Sequence, residues 1–444
     1  MVRSSSRATK APTQSPGVAK TTPQLSGRQA STVLALVMWP LAAMSFIHKV
    51  LLVPQNKHET DDFTTVWEAL HRFRAGIPVY SENYNTVDPH YLYSPGGTLL
   101  LSPLTALPGP GLGRLFYIAV NGGAIVAALA VLTVMFGHRL RGGVWPTAIF
   151  ALFGTEAVYN TLLFSNNNGI LLLFLVGFIH LLLHRRDILA GILIGLAITI
   201  KPQFAPLLFL PLVRKQWAVF AGGLGVPVLF NLAAWPLMTQ PQEYVTELVP
   251  YLGQVRDYAN SSIQGVGAYF GIPGPLILLL RVIAMLFVAV AVLLLLRYRE
   301  RDELMWATTT SSILLAGVFL ISNLGQMYYS MLLVPLLFTV TRSRSVMHNP
   351  VAWLGIYWCM SSDVWFSDRW EWPGRIVEFC RGTVGWALLI IAVGTTAAVW
   401  WMQDRRTARR PAPSSDDDRS SPTRSPTSTK EGDSTHDGLS QSHR

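Results

Sequence analysis

The chain has 444 residues and a formal net charge of +10; half of its residues are hydrophobic and only 14% are charged, against about a quarter in soluble domains. That balance excludes a soluble enzyme. The basic residues sit in short runs between apolar stretches, where topology signals belong, and this excludes nucleic acid as the partner.

In chain order, the first 31 residues hold five Lys/Arg and no acid. They are rich in Ser, Thr, Pro and Gly and read as a disordered cytoplasmic arm. Val33 to Val53 is too long for a cleaved signal core, and no small-residue cleavage site follows it closely; it predicts a first membrane span. About fifty residues then precede the next apolar run, far more than a connector between spans needs. They hold Asp61, Asp62, His71, Arg72, Arg74, His90 and a set of tyrosines that includes Tyr93, and they predict a long external loop.

Spans are expected at 112–136, 144–164 and 170–183, followed by two short apolar pieces, 188–200 and 204–213. Lys201-Pro202 separates the two pieces and predicts a broken helical hairpin, since proline removes a backbone donor and biases the residue before it away from helix. Further apolar segments run over 217–237, 273–296, 304–321, 327–340, 351–360 and 383–402. A second external loop is expected over 238–272, and a Trp- and charge-rich external stretch over 363–381. The fold expected is an all-α polytopic membrane protein with 10–12 membrane segments over residues 32–402, followed by a disordered cytoplasmic tail from 403 to 444. The basic loops place the long loop outside and both termini inside.

Within that frame a few polar residues stand out. Asp61 and Asp62 cap the helix that follows them or serve as a general base. Lys201, an ammonium inside apolar sequence, snorkels to an interface or binds a phosphate. Asn166 and Asn168 form a turn or offer amides to sugar hydroxyls. Arg256 with Asn260 and Ser262, and Gln326 with Tyr328, break apolar sequence at other external ends; each caps a helix or faces a ligand. Cys359 and Cys380 make no disulfide framework. No P-loop, GxGxxG, HExxH or paired CxxC is present, so neither a metal nor a cofactor is expected.

Several of these stretches resemble a known family. Asp62-Phe63 with Ala69, Gly76 and Tyr80, then Tyr93-Ser94-Pro95 and Pro103, is similar to the first external loop of the actinobacterial GT-C type membrane glycosyltransferases that use polyprenyl-phosphate sugars. Asn166 and Asn168 sit at that family's Gln-x-Asn, and Lys201-Pro202 at its Lys-Pro. Asn260 to Ile263 resembles its Asn-Gln-Ser-Leu. Within the family, Thr60 to Phe63, Val87 to Tyr93, Pro95 to Leu100, Arg256 to Tyr258 and Gln326 with Tyr328 to Ser330 resemble the arabinofuranosyltransferases of mycobacteria and corynebacteria. Two departures are visible: no histidine stands near Gln326 to Tyr329, which argues against mannose as the sugar, and Ser94 replaces the usual proline.

The resemblance implies transfer of arabinofuranose from decaprenyl-phospho-arabinose to an arabinan acceptor of arabinogalactan and lipoarabinomannan. The product is an α-1,3 branch formed with inversion, outside the plasma membrane, with the lipid tail lying among membrane lipid. On that basis Asp62 is the expected base, with Asp61 second. Lys201, Arg256, Arg72 and Arg74 are expected to meet the donor phosphate. Asn166, Asn168, Asn260, Ser262, Gln326, Tyr328, His90 and Tyr93 are expected to contact sugars. The alternatives are a polyprenyl-phosphate-mannose α-mannosyltransferase of the same architecture and, in another class, a lipid-linked-sugar flippase.

Overall fold

The computed structural model describes residues 27–55, 62–86 and 89–408. It divides into two units, Met1–Val399 and Trp400–Arg444; the cavities described below are lined by residues of the first. The described residues are helical, with no strand among them. Six helices are long and apolar enough to cross a membrane, and six more apolar helices are shorter.

The chain opens with α1 (Gly27–Phe46), α2 (Asp62–Arg74), α3 (Pro95–Leu101) and α4 (Pro110–Met135). Only α1 and α4 are of spanning length; α2 and α3 lie in the expected external loop. Ser94, whose sequence position departs from the family pattern, has a local explanation: its side chain caps α3, accepting from the Gly97 N–H at 3.2 Å, and Pro95 takes the first helical position. The expected span 144–164 is instead two helices, α5 (Val144–Phe153) and α6 (Glu156–Leu163), broken at Gly154-Thr155. Thr155 caps the second, because a serine or threonine at that point satisfies an otherwise orphaned amide.

Next come α7 (Asn168–Leu183) and α8 (Asp187–Ile200). Lys201 then leaves the helix in an extended conformation (φ −135°, ψ 103°), as the proline after it requires. A 3₁₀ turn over Pro202–Leu208 and α9 (Phe209–Val213) complete the broken hairpin. α10 (Trp217–Ala234) packs on α8 at backbone distance: a Cβ on Gly222 would stand 2.9 Å from the Gly191 Cα, and one on Gly195 would stand 2.6 Å from the Val226 Cβ. Small residues are how membrane helices come this close. α3 is fastened to the same pair, for the Gly96 N–H donates to Asn231 Oδ1 of α10 at 3.0 Å. The segment that carries α2 and α3 is thereby brought beside the end of α8 that carries Lys201.

The remaining elements are α11 (Val249–Leu252), α12 (Ile263–Tyr269), α13 (Gly274–Leu295), α14 (Glu303–Ile321), α15 (Val334–Phe338), α16 (Pro350–Met360) and α17 (Glu371–Ala408). The stretch 363–381, expected as loop throughout, is loop only in its first part; from Glu371 it is already helix, so Glu378 and Arg381 belong to α17. At the end of α8 away from Lys201 the basic loops converge. Arg214 pairs with Glu303 at 3.1 Å, Gln216 donates to Asp187 at 2.7 Å, Arg299 donates to the Val213 carbonyl at 3.0 Å, and Arg342 pairs with Asp302 at 3.0 Å.

Candidate active site

Two cavities, of about 460 and 260 Å³, lie where the α2–α3 loop meets the loop before α12 and the breaks after α6, α8 and α14. Asp62, Pro89, Arg256, Gln326 and Tyr328 line both of them, so these residues form a partition reached from either side.

Asp62 is the first residue of α2. Its backbone N–H donates to the Phe164 carbonyl at 2.9 Å. The next residue, Phe63, is buried against Tyr117 of α4 (ring centroids 5.3 Å apart) and against Trp67 (5.7 Å). The Asp-Phe pair works as a pointer and an anchor: the ring seats the helix start, and the carboxylate is left half-buried at the partition. Its charge acts on Lys201 and on the phenols of Tyr93, Tyr328 and Tyr329. Asp61 lies outside the described residues.

Lys201 lines the smaller cavity with Tyr93, His90, Asn166 and Gln203. Its Nζ donates to Asn168 Oδ1 at 2.7 Å and stands 4.5 Å above the Tyr329 ring. Tyr329 is held by Phe319 of α14 (5.3 Å), which also meets Trp386 of α17 (5.6 Å). Burial lowers the Lys201 pKa below the ordinary lysine value, and the Asp62 carboxylate acts against that shift. Burial, with Tyr117 and Asp62 nearby, holds the Tyr93 phenol well above its usual range, so it stays protonated; its oxygen accepts from Asn167 Nδ2 at 2.9 Å. Asn166 is 3% exposed and Asn168 fully buried, and the Nδ2 of each lacks a hydrogen-bond partner among the described residues. Buried amide donors without acceptors are costly, and a ligand oxygen in the smaller cavity, which Asn166 lines, would satisfy that of Asn166.

Arg256 is steadied on the partition by Tyr251, whose phenol accepts from its Nη2 at 2.9 Å. Tyr251 in turn meets Tyr84 (centroids 4.9 Å apart) and His90 (5.2 Å), and His90 Nδ1 lies 3.4 Å from Glu82. Gln326 accepts from the Tyr328 hydroxyl. The larger cavity adds Glu156, Asn160, Glu378 and Arg381, none of which was singled out in the sequence. Glu156 carried the same signal as Lys201, a charge inside apolar text. Arg381 and Glu378 were hidden by the assignment of their segment to a loop.

Other expected ligands stand elsewhere. Arg72 pairs with Glu82 and donates to the Val79 carbonyl at 3.2 Å; Arg74 is exposed and donates to the Thr105 carbonyl at 3.2 Å. Neither lines either of these two cavities. The Ser262 hydroxyl caps α12 through the Gly265 N–H at 3.0 Å and is likewise outside both linings. Asn260 lines the larger cavity, yet its amide joins loop to loop: Nδ2 donates to the Arg256 and Asn323 carbonyls, and Oδ1 accepts from the Ser262 and Gly325 N–H groups. Asn168 supports Lys201 from below the cavity. Among the described residues no group of three or more His, Cys, Asp or Glu side chains could hold a metal ion.

The sequence pattern of glycosyltransferase family 87 matches residues 91–323. The chain is 49% identical over 382 residues to the alpha-(1->3)-arabinofuranosyltransferase of Corynebacterium glutamicum, covering 86% of this chain and 91% of that protein. It is 44% identical over 375 residues to the protein of that name from Mycolicibacterium smegmatis (84% and 87% covered). With the Mycobacterium tuberculosis protein of that name the identity is 42% over 378 residues (84% and 87% covered).

Proposed function

This chain belongs to glycosyltransferase family 87, and from that premise we propose that it transfers an arabinofuranosyl group from a decaprenyl-phosphate donor to an arabinan, forming an α-1,3 linkage. The sugar and the linkage rest on the named relatives, which match over most of the chain. The observation that carries the mechanism is the partition: Asp62, Arg256, Gln326 and Tyr328 touch both cavities, and Lys201 lies on one side only.

The donor occupies the smaller cavity, its phosphate against Lys201 and Arg256 and its sugar near Asn166, Tyr93 and Gln326. The glycan occupies the larger one. Asp62 takes the proton of the attacking hydroxyl as that oxygen bonds to the anomeric carbon. The bond from that carbon to the phosphate oxygen breaks, and the leaving lipid phosphate takes the electron pair. Lys201 and Arg256 stabilise the charge that gathers there. One displacement inverts the anomeric centre, so a single base suffices. The cavities lie at the end of α8 opposite the basic loops, and by the positive-inside tendency those loops are cytoplasmic; the reaction is therefore external.

The test is Asp62→Asn in membranes supplied with lipid-linked arabinose and a synthetic arabinan, the products being analysed for linkage. Loss of a positioned general base lowers kcat about 10²–10⁴-fold. Undiminished transfer by this variant would remove Asp62 from the mechanism, and a product lacking a 3-linked arabinofuranose would remove the linkage assignment.

A further inference from the structure

We propose that Glu156, Asn160, Glu378 and Arg381 form a subsite that selects a neutral, hydroxyl-rich glycan as acceptor; the proposal rests on the glycosyl-transfer reading above and deepens it. The four side chains come from α6 and α17 and line the larger cavity together with Asp62. Arg381 lies at the centre. Its Nη2 pairs with Glu156 and, at 3.0 Å, with Glu378; its Nη1 donates to the Ser361 carbonyl at 2.8 Å. Asn160 Nδ2 donates to the other Glu156 oxygen at 3.0 Å. The three charged side chains are only 4% (Arg381), 16% (Glu378) and 19% (Glu156) exposed.

The charge pattern decides what such a subsite accepts. Two carboxylates share one guanidinium, so the cluster has no positive charge left for an anion, and a lipid phosphate placed here would meet net negative charge. Hydroxyl groups are suited to it, because ionised carboxylates are acceptors with room for several donors each. Arg381 Nε adds a buried donor with no partner among the described residues. Neighbouring hydroxyls of one sugar could complete both needs. Beside the cluster the Phe379 ring, stacked on Tyr269 with centroids 3.8 Å apart, gives the same cavity an apolar wall for the C–H face of a sugar.

Stability alone is a weak reason for such a cluster. Buried ion groups are poor stabilisers compared with apolar residues of similar volume, and charged side chains within membrane-depth helices mark function. The opposed signs of the two cavities, an ammonium in one and an excess of carboxylate in the other, sort the two substrates: phosphate to the Lys201 side, neutral glycan to the Arg381 side.

The experiment is initial-rate kinetics of the full-length protein in membranes, varying a synthetic arabinan and the lipid-linked arabinose donor independently. Glu156→Gln and Asn160→Ala should each raise the acceptor KM about tenfold, the scale of one hydrogen bond to a charged group, and leave the donor KM within roughly twofold. Glu156→Gln should also make a carboxylate-bearing oligosaccharide a better competitor of the acceptor, an effect that a merely structural role for the cluster does not produce. Variants with wild-type thermal stability and an unmoved acceptor KM overturn the subsite alone. Wild-type membranes that transfer no arabinofuranose overturn the functional reading, and the subsite with it.

Discussion

Lys201 illustrates how one side chain can be tuned by two neighbours. Burial lowers its pKa, and the Asp62 carboxylate raises it part of the way back. The ammonium is complete below the resulting pKa and is lost as pH rises through it. Donor affinity should therefore weaken with rising pH earlier than an ordinary lysine would allow, seen as an increase in donor KM. Lys201→Arg keeps its charge throughout this range, so the alkaline loss should vanish from its profile; the same loss in the arginine variant would assign it to another group. Lys201 and Asp62 were legible in the sequence because a charge within or beside apolar text has few uses. Asn260 and Ser262 were not legible in that way. Both are polar residues at a break between apolar segments, as expected of sugar ligands, but their hydrogen bonds close loops and cap α12. A sequence shows that a polar atom needs a partner and does not show whether the partner is the chain or a ligand.

Helix ends carry most of the site, and the packing of helix bodies fixes where those ends fall. The α8–α10 contact sets the height of Lys201, and it depends on glycine: a Cβ at position 195 would stand 2.8 Å from the Gly222 carbonyl oxygen as well as against Val226. Gly195→Leu should destabilise the protein by about 1–3 kcal/mol, the usual range for overpacking. It should also raise the donor KM as the end of α8 shifts. Thermal denaturation and donor kinetics on the same preparation check both, and an unchanged melting temperature would show that the pair has room to separate. The break at Lys201-Pro202 was readable from proline chemistry alone. The break at Gly154-Thr155 falls inside one apolar run, and hydropathy starts the last span at Thr383 where the helix begins at Glu371. In both places hydropathy was the wrong guide. A polar helix turn facing a cavity reads as loop, and a short break between apolar turns reads as continuous span.

For the protein as a multi-pass membrane protein, composition was sufficient. α10 and α13 keep many large apolar side chains exposed, among them Leu229, Leu232, Leu278 and Leu286, and lipid rather than water is the natural neighbour of such faces. The sequence predicts 10–12 membrane segments, and six long and six shorter apolar helices are present among the described residues. Three of the shorter ones, Asp187–Ile200, Pro202–Val213 and Met327–Thr341, carry residues that line the cavities. The assembly of those ends into two chambers was beyond the reach of the sequence, because the lining residues lie far apart in the chain. The proposed placement of donor and glycan on either side of the partition also fixes the order of events. With separate chambers meeting at one carboxylate, neither substrate must leave for the other to enter, and no residue has to carry the sugar between them. Turnover should pass through a ternary complex, giving double-reciprocal plots that intersect when donor and glycan are varied together. Parallel lines would instead mean that the sugar is parked on the protein and handed over in a second step.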